Sequence, residues 1–206
     1  MTEKSVVYLL DDEPSMLQAL SRLLRMHDFT VRAFESVAEF FEFERDGAPA
    51  CLVLDMAMPD LDGLEVQQRL AETHDTIPIL FLTGRGDSPI SVRAMKAGAE
   101  DFLTKPVDGE ELVRAVNSAL ESARAKRAAE EEVAELRKRL DQLTPRQREV
   151  FEYVIAGKMN KNIAAELGTG EQNVKIHRRR VMRKMGVKSL AELVRSAERL
   201  GIEPAA

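Results

Sequence analysis

Two domains of different class are predicted for the chain: an open, doubly wound parallel α/β domain first, an all-helical domain last, and a long helix between them. Three observations carry the prediction. The 206 residues exceed the ~100–200 of one ordinary domain. Runs rich in β-formers alternate with amphipathic helical stretches as far as residue 104, the pattern of a parallel sheet covered on both faces, and only helical patterns follow. Formal charge changes sign along the same division. Residues 1–122 carry 11 basic and 23 acidic side chains (net −12), residues 123–143 carry 6 and 5, and residues 144–206 carry 13 and 7 (net +6).

The predicted strands are VVYLL (6–10), TVRAF (30–34), CLVLD (51–55), ILFLT (79–83) and DFLT (101–104). Their near-continuous apolar character fits burial on both sides. Helical stretches are expected over 16–26, 37–44, 64–72 and 91–97. Ser36 with Glu39, and Asp108 with Glu111, each place a capping side chain before a helical run and a carboxylate three residues on. From Asp108 to Leu143 no proline intervenes, so one helix of 36 residues would extend ~54 Å. Val113, Val116, Leu120 and Ala123 form one apolar seam on it, and Val133, Leu136, Leu140 and Leu143 another. Val116 and Val133 are 17 residues apart, two heptads plus three, so the seams are out of step. Two readings stand: a helical linker (123–143) whose apolar stripe docks on the last domain, or a dimeric coiled coil.

In the last domain helices are expected over 145–156, 160–167, 171–185 and 189–200, with Gly157, Gly168 and Gly186 at their ends. Thr144 and Gln147 form a capping box with Pro145 at the first helical position, and Ser189 with Glu192 repeats the box.

Composition excludes several classes. No apolar run approaches the ~20 residues that cross a membrane, and the short apolar run before the first acidic cluster is no secretory signal, so a cytoplasmic protein is expected. A single cysteine, Cys51, rules out an internal disulfide framework, and with three histidines it leaves too few ligands for a structural zinc site.

Loops at the carboxyl ends of parallel strands gather into one crevice. Here Asp11, Asp12 and Glu13 end the first strand, Asp55 the third, Thr83 the fourth, and Lys105-Pro106 follows the fifth. Carboxylates crowded at a sheet edge repel unless a cation neutralises them, and oxygen-only ligation points to Mg²⁺ or Mn²⁺. A carboxylate so placed can attack phosphorus if a metal offsets charge and a lysine and a hydroxyl meet the phosphoryl oxygens. Any one of these acids taken alone would as readily cap a helix or face water, and Phe102 alone would be core. Their joint placement carries the functional reading.

LLDDEP, LVLDMAMPDLDG, LFLTG and FLTKP resemble the motifs of response-regulator receiver domains, over residues 1–122. The resemblance implies a flavodoxin-like five-stranded sheet. It further implies that Asp55 is the phosphoacceptor, and that Asp11, Asp12 and Asp55 with the Ala57 backbone carbonyl hold Mg²⁺. Thr83 and Lys105 would bind the phosphoryl group, Lys105-Pro106 would be cis, and Thr83 and Phe102 would move together as a switch. Ala57 and Arg85 should bear on the phosphoryl lifetime.

Residues 171–185, EQNVKIHRRRVMRKM, carry six cations and no acid after Glu171, and with the preceding helix outline a helix-turn-helix. A charged solvated face is the bland alternative. The segment 143–194 is similar to LuxR-type DNA-binding domains. That similarity implies that Lys175, Ile176 and Arg179 face base edges in the major groove, while His177, Arg178 and Lys161 meet phosphates or support the fold. It also implies a dimer contact through the last helix. Gly170 and Asn173 depart from the family pattern, and Thr169 is the alternative cap for the recognition helix.

Together the resemblances imply a two-domain response regulator of the FixJ/NarL type, with the DNA-binding domain at 144–206. The partners implied are a sensor histidine kinase, double-stranded promoter DNA, RNA polymerase and a second copy of the chain, with no membrane. Counted charge adds that the acidic first domain could cover the basic last one until dimerisation relocates it. Two other classes compete. An Asp-nucleophile phosphatase or phosphomutase would place a second catalytic Asp two residues after the nucleophile, where this chain has Ala57. A never-phosphorylated docking protein would not need all five site residues intact.

Overall fold

The computed structural model describes residues 5–45, 47–59, 61–73, 75–84, 94–95 and 97–205. Arg85 and most of the helical stretch expected at 91–97 lie outside them. Contacts divide the chain into two compact units, Met1–Arg127 and Ala128–Ala206.

The first unit holds strands β1 (Val6–Leu10), β2 (Thr30–Phe34), β3 (Ala50–Asp55), β4 (Ile79–Thr83) and β5 (Asp101–Thr104), all parallel in the order β2-β1-β3-β4-β5. Helices α1 (Pro14–Met26), α2 (Val37–Glu42) and α3 (Gly63–Glu72) follow the first three strands, and α4 (Gly109–Asp141) follows β5. The period-2 alternation of the strands divides the core. Tyr8, Leu10, Leu52, Leu54 and Phe81 pack on one face with Phe40 of α2 and Val66 and Leu70 of α3. Val7, Leu9, Cys51, Val53, Leu80 and Leu82 pack on the other with Leu17, Leu20 and Leu24 of α1 and Leu112, Val116 and Leu120 of α4. Helices thus cover both faces, as the apolar runs require.

Ser36 and Asp108 accept from the backbone N–H of Glu39 and Glu111, as the capping signals predict. One further box was legible but unread: Asp62 and Glu65 cap α3 reciprocally at 2.8 Å each way.

In the second unit α5 (Pro145–Ile155), α6 (Asn160–Glu166), α7 (Glu171–Met185) and α8 (Leu190–Arg199) enclose Val150, Phe151, Val154, Ile163, Val174, Val181, Met185 and Leu193. Leu136, Leu140 and Leu143 are buried in the same cluster, with Val133 packed beside it, so this stripe of α4 is spent inside its own chain. Thr144 and Gln147 form the expected box at α5, and Ser189 caps α8. The cap at α7 differs from expectation. Gly170 occupies the N-cap with no side-chain bond, and the Thr169 hydroxyl instead accepts from the Asn173 side-chain amide at 3.2 Å. The Asn173 side chain therefore engages the oxygen that a backbone N–H would need. Gly186 closes α7 at φ 71°, where a Cβ would collide with the Arg139 guanidinium.

Candidate functional site

The crevice of a parallel sheet opens where consecutive crossovers run to opposite sides. In the order β2-β1-β3 that point lies between β1 and β3, and the register Leu10↔Leu54 brings the residues just after these pairs, Asp11 and Asp55, level with each other. One carboxylate oxygen from each of Asp11, Asp12 and Asp55 lies within 4.8 Å of the others. Asp11 and Asp55 are buried and Asp12 is exposed. The Asp11 carboxylate is also held by the backbone N–H of Glu13 at 2.9 Å.

Lys105 reaches into this cluster. Its Nζ lies 3.0 Å from Asp11 Oδ2 and 3.0 Å from Asp55 Oδ1. Partial burial works to lower the ammonium's pKa, but hydrogen bonds to Asp55 and Asp11, with the charges of both, outweigh it and hold Lys105 above its ordinary value. The Lys105 backbone N–H donates to the Thr83 carbonyl at 2.7 Å, which joins the ends of β4 and β5, and Lys105-Pro106 is cis.

Thr83 ends β4 and is buried. Phe102 pairs in register with Phe81, two residues before Thr83, so Thr83 and Phe102 belong to the same face of the sheet. Phe102 is 40% exposed, a ring at a sheet surface rather than in the core. Ala57 is exposed in the loop after β3. The start of α3 is pressed on the sheet: Gly63 donates to the Met56 carbonyl at 3.1 Å, and a Cβ at Gly63 would sit 2.9 Å from the Phe81 ring. Cys51 is no competing nucleophile. Burial, with a smaller push from the charge of Glu100, raises its thiol to about 12.

The structure therefore gathers Asp11, Asp12, Asp55 and Lys105 into one cluster, with Thr83 joined to Lys105 through the backbone. Two crowded, buried carboxylates facing a third and a lysine form an all-oxygen donor set suited to a hard divalent cation, with one carboxylate able to act as nucleophile toward phosphorus.

In the second unit Lys175, Ile176 and Arg179 are exposed on α7, Ile176 by 42%, while Val174, Val181 and Met185 face the core. Lys175 pairs with Glu171 at 3.3 Å across one helical turn. Lys161 is exposed near the start of α6, and half-buried His177 keeps a buried Nδ1 without a hydrogen-bond partner among the described residues. Arg178 donates to the Asn160 side chain at 3.3 Å, a tie to α6 that sequence reading missed. Lys184, one of the six cations of the basic helix, turns inward: its Nζ donates to the Gln142 carbonyl at 2.7 Å and to Gln147 Oε1 at 2.8 Å. Nothing in the local spacing of α7 signals that, because both acceptors lie near residue 145 in the chain.

Residues 7–117 match the family described as response regulator receiver domain, and residues 141–197 match the bacterial regulatory proteins of the luxR family. The chain is 44% identical over 196 residues to the response regulator protein TodT of Pseudomonas putida, covering 95% of this chain and 86% of TodT. It is 38% identical over 202 residues to the transcriptional regulatory protein FixJ of Bradyrhizobium diazoefficiens, covering 98% of both. Among solved structures it is similar to the response regulator StyR, with a TM-score of 0.83 and 42% identity over 95% of this chain and 98% of that one. No helix among the described residues is long and apolar enough to cross a membrane. With the acidic sheet edge and the basic helix matched in order along one chain, the protein belongs to the FixJ/NarL-type response regulators, two-component transcription regulators that join a receiver domain to a LuxR-type DNA-binding domain.

Proposed function

We propose that Asp55 accepts a phosphoryl group from a sensor histidine kinase in the cytoplasm, and that the acyl phosphate controls DNA binding by the second unit. The observation that supports this reading best is the position of Lys105 Nζ, 3.0 Å from both Asp11 and Asp55. In the transfer an Asp55 oxygen attacks phosphorus, the phosphorus–nitrogen bond of the phosphohistidine breaks, and the imidazole leaves with the bonding pair. Lys105 then exchanges part of its ion pair with Asp55 for a phosphoryl oxygen, and the Thr83 hydroxyl donates to another. Asp11, Asp12 and Asp55, with the Ala57 carbonyl, would hold Mg²⁺ or Mn²⁺, which supplies the positive charge that lets an anionic donor approach buried carboxylates.

Thr83 drawn toward the phosphoryl group vacates space on the sheet face it shares with Phe102, and the exposed ring turns inward to fill it. The resulting change in surface favours a homodimer, which places two copies of α7 on a two-fold related promoter site within reach of RNA polymerase. Lys175, Ile176 and Arg179 read base edges, and Lys161, Arg178 and His177 hold the backbone or the fold. Such a switch needs a differential stabilisation of a few kcal/mol.

Incubation with acetyl phosphate and Mg²⁺ followed by intact-mass measurement tests the assignment. One phosphoryl adduct is expected on the wild type and none on Asp55→Asn. An adduct of equal yield on Asp55→Asn would refute it.

A further inference from the structure

Within the second unit the C-terminal ends of α4 and α7 lie against each other, and each is held by a cation from the other. From α7, Lys184 Nζ donates at 2.7 Å to the backbone carbonyl of Gln142, the residue after the end of α4, and at 2.8 Å to Gln147 Oε1. From α4, Arg139 Nη1 donates at 3.3 Å to the backbone carbonyl of Met185, the last residue of α7. The Arg139 Nε donates to Glu135 at 3.0 Å, which steadies the guanidinium from one turn back. Gly186 leaves the space that this guanidinium fills.

The last carbonyls of a helix have no partner in a following turn, and the aligned peptide dipoles make that end negative. Two such ends brought side by side repel. A cation crossing in each direction satisfies carbonyls at both ends and offsets the repulsion, so the two bonds seat the C-terminal half of α7 on the end of α4. Lys184 and Arg139 are half-buried, whereas Lys175 is exposed. Lys175 precedes Lys184 by nine residues, ~13.5 Å along the axis. A tilt of about 10° at the clamp would therefore carry it ~2 Å, enough to break a hydrogen bond to a base.

We propose that Arg139 and Lys184 are positioning residues for DNA recognition: they set the angle at which α7 presents Lys175, Ile176 and Arg179, and Lys184 meets no phosphate. This role rests on the reading of α7 as the helix that enters DNA and is independent of Asp55.

Fluorescence anisotropy of the full-length protein, on a duplex that it selects from a random-sequence pool, tests this over a series of salt concentrations. Arg139→Met and Lys184→Met should each weaken binding about tenfold, well below the thermal midpoint and with the wild-type circular dichroism, while keeping the wild-type salt slope. A lost phosphate contact would lower that slope by ~0.9, and such a fall for Lys184→Met overturns the proposal. Unchanged affinity in both folded variants overturns it too. If the pair of substitutions K175A/R179A also leaves affinity unchanged, the reading of α7 fails with it; if that pair weakens binding, only the clamp fails. Acetylation of the wild type by acetic anhydride, followed by peptide mass spectrometry, needs no variant to fold. Lys184 should react slowly both free and on DNA, while Lys175 should react readily when free and be protected by DNA. Protection of Lys184 that appears only on DNA overturns the proposal.

Discussion

Lys105 is the residue on which the acidic sheet edge balances, since it faces two buried carboxylates at once. Its folded pKa lies above the ordinary 10.5, so the stability it lends is complete below 10.5 and is lost as pH rises through the higher folded value. Urea midpoints should therefore be insensitive to this group at neutral pH, and Lys105→Met should reduce the loss of stability seen above pH 10.5. Equal alkaline slopes in the two proteins would show that the pair does not form in solution. The members of this cluster were readable from sequence because a strand fixes where its last residue goes. Asp11, Asp55 and Lys105 needed only the strands to be recognised as parallel. Lys184 and Asn160 were not readable in this way, because their partners lie in other segments of the chain and depend on packing that no local spacing encodes.

At the scale of elements, periodicity predicted the strands and helices well because each faces a core with its natural period. All five strands were placed, with β3 one residue longer than expected. The helix α2 stops at Glu42 rather than residue 44, because Phe43 turns extended and joins the aromatic cluster of Tyr8 and Phe34. The capping of α7 was misjudged at Thr169, whose hydroxyl is taken by Asn173. With no side-chain cap at its N-terminus, α7 is held by its buried Val174, Val181 and Met185 and by the bonds of Arg178 to Asn160 and of Lys184 to Gln142 and Gln147. Its outer face is the one the proposed function gives to DNA. Lys175→Ala should cost ~1–3 kcal/mol of discrimination between cognate and mismatched duplexes if the side chain reads a base. In fluorescence anisotropy, an equal loss on every duplex would reassign Lys175 to a phosphate.

For the whole molecule, net charge of opposite sign in its two parts was visible at once, whereas the destination of the second seam of α4 was not. Sequence alone left a docked stripe and a dimeric coil equally open, since 3-4 spacing suits any helical neighbour. In the structure Leu136, Leu140 and Leu143 are 7%, 4% and 9% exposed within the second unit. Replacing one buried leucine by alanine costs ~2–5 kcal/mol, so a fragment lacking all three loses an amount comparable with a small domain's whole reserve. Residues 128–206 should give a cooperative thermal transition, and residues 144–206 should give none. A sharp transition in the shorter fragment would mean that these leucines contribute little.

The single helix that feeds two cores also joins their fates. Val116 and Leu120 anchor it in one, Leu136 and Leu140 in the other, and between them residues 124–126 and 128–132 are exposed. A proline placed there, at Ala128 for instance, would leave both hydrophobic interiors chemically whole while breaking the backbone hydrogen bonds of the helix between them.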